Sequence, residues 1–574
     1  MLVRKFVIPV FVVMAGVSYL AVYDADYCVT GISSALVGLL ALFALSLFAC
    51  ATRRTFCLKG TDVLFALFLL VYAFYALVVD GTPFSSQRAI GWMSAGMLYY
   101  CMRRLGNRQY VFALLFGLAV VEGIYGMLQW GGVLPSHHFY FPATGSFFNP
   151  ALLALCLVVG LFAGGYLLSV RRGRVARGVL AVALLALAVG VVLLDSRAAW
   201  VGGLAGCGWL LLTVAGWKRF LHYKWLWVLL PVVLLGSAIA FYGLRPASAS
   251  GRLFIWETAG SALVEHPWRG GGNFAATYMY RQAEAVAGMS WEDPAWLLAD
   301  NNVFAFNEFL RMGYESGMPG LVLFVALLAV ALRGAWRCGG AGRWMGAALC
   351  VFAGFACFSY PLSDPLCVAV GVVLLAGCAN AGRDCLREGR CARVGQVVVV
   401  GLLCAACFWG MQEGTGLWKA DRALRQVARG RAGVEDLAVD GAVRRNPDWM
   451  LCYGKMLYDR GLYADALPVL EVAVRLCPTA EAVCDLGDCC RQAGRLEEAE
   501  EYYQLSARMV PSRITPHSRL LELYQANGDK DAACWEAEYI LAMPVKVVNT
   551  SVIRARHRAR VAVEAFYKMS PMND

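Results

Sequence analysis

Apolar runs of about 20 residues, long enough to cross the hydrocarbon core of a bilayer as a helix, recur along this chain from Phe6 to about Met411 and then stop. The pattern predicts thirteen spans: 6–23, 31–50, 62–79, 87–102, 110–130, 148–169, 177–194, 198–216, 225–243, 318–332, 344–360, 366–380 and 396–411. The first follows Arg4 and Lys5 and lacks a small-residue cleavage site, so it reads as a retained helix rather than a signal peptide. From Trp418 onward the pattern changes to amphipathic helices with a period near 33 or 34, marked by Gly454 and Gly487, by Gly461, Gly494 and Gly528, by Ala466, Ala499 and Ala533, and by Pro478, Pro511 and Pro544. The predicted fold is therefore all-α: a polytopic helical membrane region of about 12–13 spans over residues 1–411, followed by a helical repeat region over 412–574.

The polar connections orient the membrane region. Those after the second, fourth, sixth, eighth, tenth and twelfth spans, "TRRTFCLK", "MRRLGNRQ", "VRRGRVAR", "WKRFLHYK", "LRGAWRCGGAGRW" and "AGRDCLREGRCAR", each carry at least three Lys or Arg. The alternate connections "DADYCVT", "DGTPFSSQR", "GGVLPSHHFYFPATGSF", "DSR" and "PLSDP" carry none or one. By the positive-inside rule the first set and the N-terminus are cytoplasmic. The second set, the long connection 244–317 and the repeat region then face outward. Long connections that are not linkers carry function, and this one holds Trp256, His266, Trp268, Trp291 and Trp296.

Composition agrees with a membrane protein: 59% of residues are hydrophobic and 16% charged, against roughly a quarter charged in soluble domains. The net charge of +11 follows the insertion pattern, so no nucleic-acid partner is inferred. The 21 cysteines show no metal-ligand spacing, and many fall inside apolar runs where Cys behaves as a small hydrophobe. No disulfide framework is inferred, although Cys452, Cys477, Cys484, Cys489, Cys490 and Cys534 would lie outside, where pairing is chemically open.

Ionisable groups in or beside spans are costly and mark candidate functional positions. Arg197 in "LLDSRAAWVGG" sits in a turn too short to let it wander; Arg252 lies in "SGRLFIWETA", His266 and Arg269 in "EHPWRGGGNF", and Asp364 in "YPLSDP". Singly, Arg197 reads equally as a snorkelling interfacial residue. Together, several outward arginines form a bidentate donor set suited to a phosphate or diphosphate. Glu122 lies well inside the fifth span, where it either pairs with an Arg or hydrogen-bonds a neighbouring helix.

The motifs "ATGSFFNPALLA", "LLDSRAAWVGG", "GRLFIWETA…HPWRGGGNF" and "NEFLRMGYESGMPGL", in that order on a many-span background, resemble the bacterial O-antigen ligase and polymerase superfamily, which includes O-linked oligosaccharyltransferases. The resemblance covers roughly residues 30–380. "YGKMLYDRGLYADALPVLEVAVRLCP" and "LGDCCRQAGRLEEAEEYYQLSARMVP" resemble tetratricopeptide repeats of about 34 residues, with a degenerate third copy ending at Pro544. Such repeats stack into a solenoid with a concave binding surface, so a protein partner or an acceptor is expected there.

The resemblance implies a metal-independent glycosyltransferase without cofactor, working in the bacterial inner membrane at its periplasmic face. It would take a glycan from a polyprenyl diphosphate carrier and pass it to lipid A core, another glycan chain or a protein hydroxyl. Arg197 and Arg252 match the family's arginines and would bind the diphosphate with Arg269 beside them, while Asn301 and Asn307 would line the substrate cavity. Many relatives carry His immediately before that Asn, a candidate for activating the acceptor hydroxyl; here Phe306 stands there. Glu308, Asp364 or Asp300 would take the proton instead, with His266 a further candidate, unless positioning alone suffices. The segment 299–321 then ends the outer catalytic loop, and "GMPGL" turns it back into the tenth span. A transporter or flippase of lipid-linked sugars is the alternative, disfavoured because the charged residues cluster on one face and the two halves show no evident repeat. A scaffold working through the tail alone would make both arginines dispensable.

Overall fold

The computed structural model describes residues 32–51, 56–79, 86–105, 108–215, 246–381, 387–389, 393–434, 437 and 441–569. The expected spans 6–23 and 225–243 lie outside these residues. Each of the other eleven falls on one helix: α1 (Ile32–Ala51), α2 (Gly60–Phe74, continued by a π turn Tyr75–Val79), α3 (Ser86–Leu105), α4 (Arg108–Trp130), α5 (Pro150–Val170), α6 (Arg174–Leu193), α7 (Arg197–Ala215), and, beyond α8 (Pro246–Glu265), α9 (Phe274–Val286) and α10 (Pro294–Leu298), α11 (Glu308–Trp336), α12 (Gly340–Ala356), α13 (Pro365–Ala381) and α14 (Arg393–Ala428). Among the described residues the fold is helical apart from one three-residue antiparallel pairing of β1 (Phe56–Leu58) with β2 (Arg387–Gly389).

Among the described residues seven helical stretches are long and apolar enough to cross a membrane: Gly60–Val79, Gln109–Trp130, Pro150–Val170, Arg174–Leu193, Arg197–Val214, Glu308–Trp336 and Val397–Ala428. The chain is a multi-pass membrane protein. Helix α3 falls outside that set because it carries Arg88, Arg103 and Arg104, and α12 because it is short; α12 is instead buried inside the bundle. The core helix is α5, apolar all round and buried along most of its length, as expected of a helix with neighbours on every side.

Without a hydrophobic drive between helices in lipid, packing depends on small residues that let backbones approach. Helices α7 and α12 meet this way. A Cβ on Gly202 would lie 2.6 Å from the Val351 carbonyl oxygen, and one on Gly206 2.7 Å from a Val351 methyl. The Trp209 indole closes the contact by donating to the Arg343 carbonyl at 3.0 Å.

The alternation of helices places residues 131–149, 194–196, 246–307 and 357–364 at one end of the bundle, here the loop end, and the β pair with 171–173 and 337–339 at the other. At that other end Asp62 of α2 takes Arg103 at 2.6 and 2.7 Å and Tyr99 at 2.8 Å, while Asn380 of α13 donates to the Met102 carbonyl at 2.8 Å.

The repeats comprise α15 (Pro447–Asp459), α16 (Tyr463–Leu476), α17 (Ala480–Gln492), α18 (Leu496–Met509), α19 (Ile514–Asn527) and α20 (Lys530–Ala542), closed by α21 (Thr550–Met569). Their sequence marks have structural causes. A side chain at Gly454 would strike Leu470 and one at Gly487 would strike Tyr503, so these glycines let paired helices touch. The degenerate third copy still forms a complete pair. Of the six cysteines expected outside, Cys452 is disulfide-bonded, whereas Cys477, Cys484, Cys489, Cys490 and Cys534 are free and buried.

The boundary read at 411/412 falls inside α14, which runs unbroken from an apolar half into the repeats. Loop residues Ile255, Phe274, Tyr278, Met279 and Tyr314 share one apolar core with Leu417, Trp449, Tyr503 and Leu520. Trp296 is buried in a second with Ile514, Leu521 and Ala537.

Gly202→Ala should lower the melting temperature of the detergent-purified protein, since overpacking of a tight contact costs about 1–3 kcal/mol. Gly208→Ala, where an added Cβ meets nothing within 4 Å, should leave it unchanged.

Candidate active site at the loop end

Helix α11 begins where the loop chain turns inward. The Asn307 side chain caps it, accepting from the Phe309 and Leu310 amides at 3.0 and 3.1 Å. To reach the cap, Phe306 takes a left-handed conformation, φ +52°, which costs a non-glycine residue on the order of 1–3 kcal/mol and marks a backbone held by its surroundings. Those surroundings are specific. The Trp256 indole donates to the Ala305 carbonyl at 2.9 Å, the Phe304 ring stacks on Tyr360 with centroids 4.1 Å apart, and the Phe306 ring stands edge-on to Tyr360 at 5.3 Å. The Asn149 amide donates to the Tyr360 hydroxyl at 2.7 Å, drawing in the end of the 131–149 connection.

Two arginines stand over this aromatic group. The Arg252 guanidinium lies 5.1 Å from the Phe306 ring centroid and donates to the Phe358 carbonyl at 2.9 Å. Arg197, opening α7, donates to Ser248 at 3.1 Å, one turn before Arg252 on α8. Burial, and then the neighbouring Arg197 charge, hold Arg252 below its ordinary pKa, against the opposing pull of Tyr360. Like charges brought together at a half-buried place favour an anion between them.

Directly beneath lies a buried ionic network. Glu315 of α11 receives Arg88 of α3, Arg311 at 3.2 Å, the Tyr72 hydroxyl at 2.7 Å and the Phe274 amide at 3.4 Å. Arg311 also reaches Ser363 at 2.7 Å and Glu308 at 3.4 Å, and Glu308 accepts the Leu362 amide at 2.7 Å. The network thus fixes the start of α11 to the 361–363 turn that follows Tyr360.

The segment "HPWRGGG" folds onto the break in α11. Ser316 (φ −135°) and Gly317 (φ +59°) interrupt the helix; Gly271 donates to the Tyr314 carbonyl and Met318 to the Pro267 carbonyl, both at 2.7 Å. A side chain on Gly270, φ +73°, would meet the Tyr314 oxygen at 2.2 Å, and one on Gly317 the Trp268 oxygen at 2.4 Å. The Tyr75 hydroxyl donates to the same Trp268 carbonyl at 2.5 Å.

The expected site residues therefore divide. Arg197 and Arg252 come together. Arg269, donating to the Val79 carbonyl at 3.4 Å, and exposed His266 lie instead at the α11 break against the end of α2. The Glu308 carboxylate is 1% exposed and turned into the network rather than toward an open cavity. Asp364 caps α13, accepting the Cys367 amide at 2.9 Å. Asn307 is a cap, and Asn301 reaches the repeats, accepting the Ala480 amide at 3.0 Å. Burial would raise the Asp300 carboxyl, but Lys546 at 3.0 Å and the Asn301 amide bring it below its ordinary value. "GMPGL" does not turn the chain back: α11 already starts at Glu308, and Pro319 falls just past the break, where a missing amide costs little. Glu122 makes hydrogen bonds, accepting the Ser146 amide and hydroxyl at 2.9 and 2.6 Å. Among the described residues no group of three or more His, Cys, Asp or Glu is placed to hold a metal ion.

Residues 181–325 match the O-antigen ligase family model, a stretch running from α6 through Arg197, Arg252 and the network glutamates to α11. Residues 420–481 and 457–514 match a tetratricopeptide repeat model. The chain carries an O-antigen ligase domain followed by tetratricopeptide repeats. No curated protein matches the chain.

Two residues that frame the candidate site lie outside the matched stretch and were not singled out from the sequence: Arg88 and Tyr360. Arg88 meets Tyr72, 16 residues before it, and Glu315, 227 residues after it, and Tyr360 meets Asn149, 211 residues before it, so no local pattern announced them. Glu315 was within reach, since it follows Arg311 by four residues and Glu308 precedes Arg311 by three, the spacings of helical ion pairs.

Glu315→Gln should destabilise the folded protein by about 3–5 kcal/mol, because Arg88 would lose its counter-charge and Arg311 would keep only Glu308. Thermal unfolding in detergent measures this. Glu265→Gln, which removes a partly exposed partner of Arg281, should cost under about 1 kcal/mol.

Proposed function

We propose that this protein is a metal-independent glycosyltransferase that moves a glycan from a polyprenyl diphosphate carrier to an acceptor, whether lipid A core, a growing glycan or a protein hydroxyl, at the periplasmic face of the bacterial inner membrane. The observation that carries the reading is the pairing of Arg197 and Arg252 at the loop end, each within the ligase match and Arg252 set against an aromatic surface. Two planar guanidinium forks grip the oxygens of a diphosphate, which a point charge cannot do as well.

The acceptor oxygen attacks the anomeric carbon, and the bond from that carbon to the diphosphate oxygen breaks with its electron pair leaving on the diphosphate. The arginines meet that growing negative charge. The acceptor proton passes to solvent. Glu308, Asp300 and Asp364 are engaged by backbone amides, arginine or lysine, so the reading assigns the rate to orientation and charge stabilisation rather than to a dedicated base. The flat rings of Phe306 and Tyr360 flank the arginines and suit the apolar face of a sugar.

Orientation is supported by charge and by redox chemistry. Arg103, Arg104, Arg171, Arg172, Arg174, Arg177, Arg333, Arg337 and Arg343 gather at the end opposite the loop, which the positive-inside rule makes cytoplasmic. The Cys452 disulfide suits an oxidising compartment for the repeats. The repeats would then receive an acceptor or a protein partner on the outer side.

Arg197→Ala and Arg252→Ala should each reduce transfer from carrier-linked glycan by about a hundredfold in lipid-reconstituted protein, at unchanged thermal stability. Lys at either position should rescue poorly, and Arg174→Ala at the opposite end should match the parent. Near-normal transfer in both Ala variants would remove the proposed site. In a strain lacking this protein, whose lipopolysaccharide and protein glycans are profiled, a ladder collapsed to one repeat identifies a polymerase, a missing ladder with carrier-linked glycan a ligase, and unglycosylated proteins an oligosaccharyltransferase. An enzymatic reporter active only outside the cytoplasm, fused after Asp574, should be active; activity of a cytoplasm-only reporter instead would reverse the orientation.

A further inference from the structure

The stretch 299–307 is a strap held at both ends. At its far end it belongs to the repeats. Asn301 accepts the Ala480 amide of α17 at 3.0 Å and donates to the Glu481 carboxylate, while Lys546 donates to the Ala299 carbonyl and to the Asp300 carboxylate at 3.1 and 3.0 Å. Gln282 of α9, wholly buried, donates both to the Met509 carbonyl that ends α18, at 2.7 Å, and to the Asp300 carbonyl, at 2.9 Å, and accepts from Asn302 at 3.2 Å. At its near end the strap supplies Ala305, fixed by Trp256, and Phe306, strained under Arg252. Four residues lie between Asn301 and Phe306, at most about 17 Å of chain at roughly 3.3 Å per extended residue, so a short tether joins the repeats to the arginine pair.

We propose that Asn301 and Gln282 are positioning residues through which the tetratricopeptide repeats set the geometry of the Arg252–Phe306 surface, making the repeats a structural part of the diphosphate-binding site rather than a separate appendage. The left-handed Phe306 backbone persists only because its surroundings over-determine it. Releasing the far end lets 303–307 relax, withdraws the ring from beneath Arg252 and loosens the site. For its consequence on ligand binding the proposal rests on the reading of Arg252 as a diphosphate donor; the coupling of the strap to the repeats does not.

The test is a charge swap in the full-length, nanodisc-embedded protein. Asn301→Asp sets a second carboxylate against Glu481 and removes the amide donor, and Glu481→Gln in that background restores a donor to the pair with its polarity reversed. Hydrogen exchange of the peptide spanning 303–309 is read in each variant, together with the affinity for farnesyl diphosphate as the lipid diphosphate probe. Asn301→Asp should speed exchange in that peptide and weaken the probe about tenfold or more, in line with the cost of misplacing a binding group by a fraction of an ångström. The double variant should recover both. Parent-like exchange in Asn301→Asp, or a double variant no better than the single, overturns the coupling. Exchange that responds as expected while Arg252→Ala binds the probe like the parent upholds the strap and overturns the diphosphate reading instead.

Discussion

A single carboxylate, Glu315, holds the loop end together. It sits one residue before the break in α11 and collects Arg88 from α3, Arg311 from its own helix, the Tyr72 hydroxyl from α2 and the Phe274 amide from the loop. A charge this deep is expensive unless every lone pair is met. Meeting them requires four separate elements to arrive at one point, and that requirement specifies their arrangement. The helix break gives room for "HPWRGGG" to lie across the end of α2, and the shared Arg311 carries the same fixity to the turn that follows Tyr360. The Phe306–Tyr360 surface against which Arg252 lies is thereby mounted on elements pinned to one another.

The division of labour among charged groups follows from this. The half-buried arginines 88 and 311 are neutralised by carboxylates, whereas Arg252, among the described residues, contacts carbonyl and aromatic partners. Guanidinium groups that brace a fold and those suited to receive an anion are told apart by what answers their charge. Sequence position does not distinguish them.

That limit shows how much could be read from the chain. The helices were legible because lipid imposes a length and an apolar composition on anything that crosses it, and the repeats because paired helices need Gly454, Gly487 and Ala466 where they touch. Arg197 and Arg252 were legible through local motifs. The surroundings of Glu308, Asp364 and Asn301 were not: Glu308 takes the Leu362 amide and Asn301 the Ala480 amide, partners distant in the chain, and Asp364 is engaged in capping its own helix. Nor did periodicity reveal that the loop and the repeats would share an apolar core, since Tyr278 and Trp296 read equally well as the interior of a self-contained loop. Phe306 is the sharpest instance. Its identity looked like a lost His, whereas its place under Arg252 depends on a backbone angle that no pattern of residue types encodes.

Helix α14 has a mechanical consequence. Thirty-six residues in one unbroken helix extend about 54 Å at 1.5 Å per residue, and the same rod lies in the apolar layer at one end and in the solenoid core at the other. It acts as a mast. A bilayer of different thickness changes the tilt at which such a rod sits, and the solenoid, stepped onto its upper end, must lean by the same angle. The height and attitude at which the repeats stand above the lipid are therefore quantities the membrane itself can set.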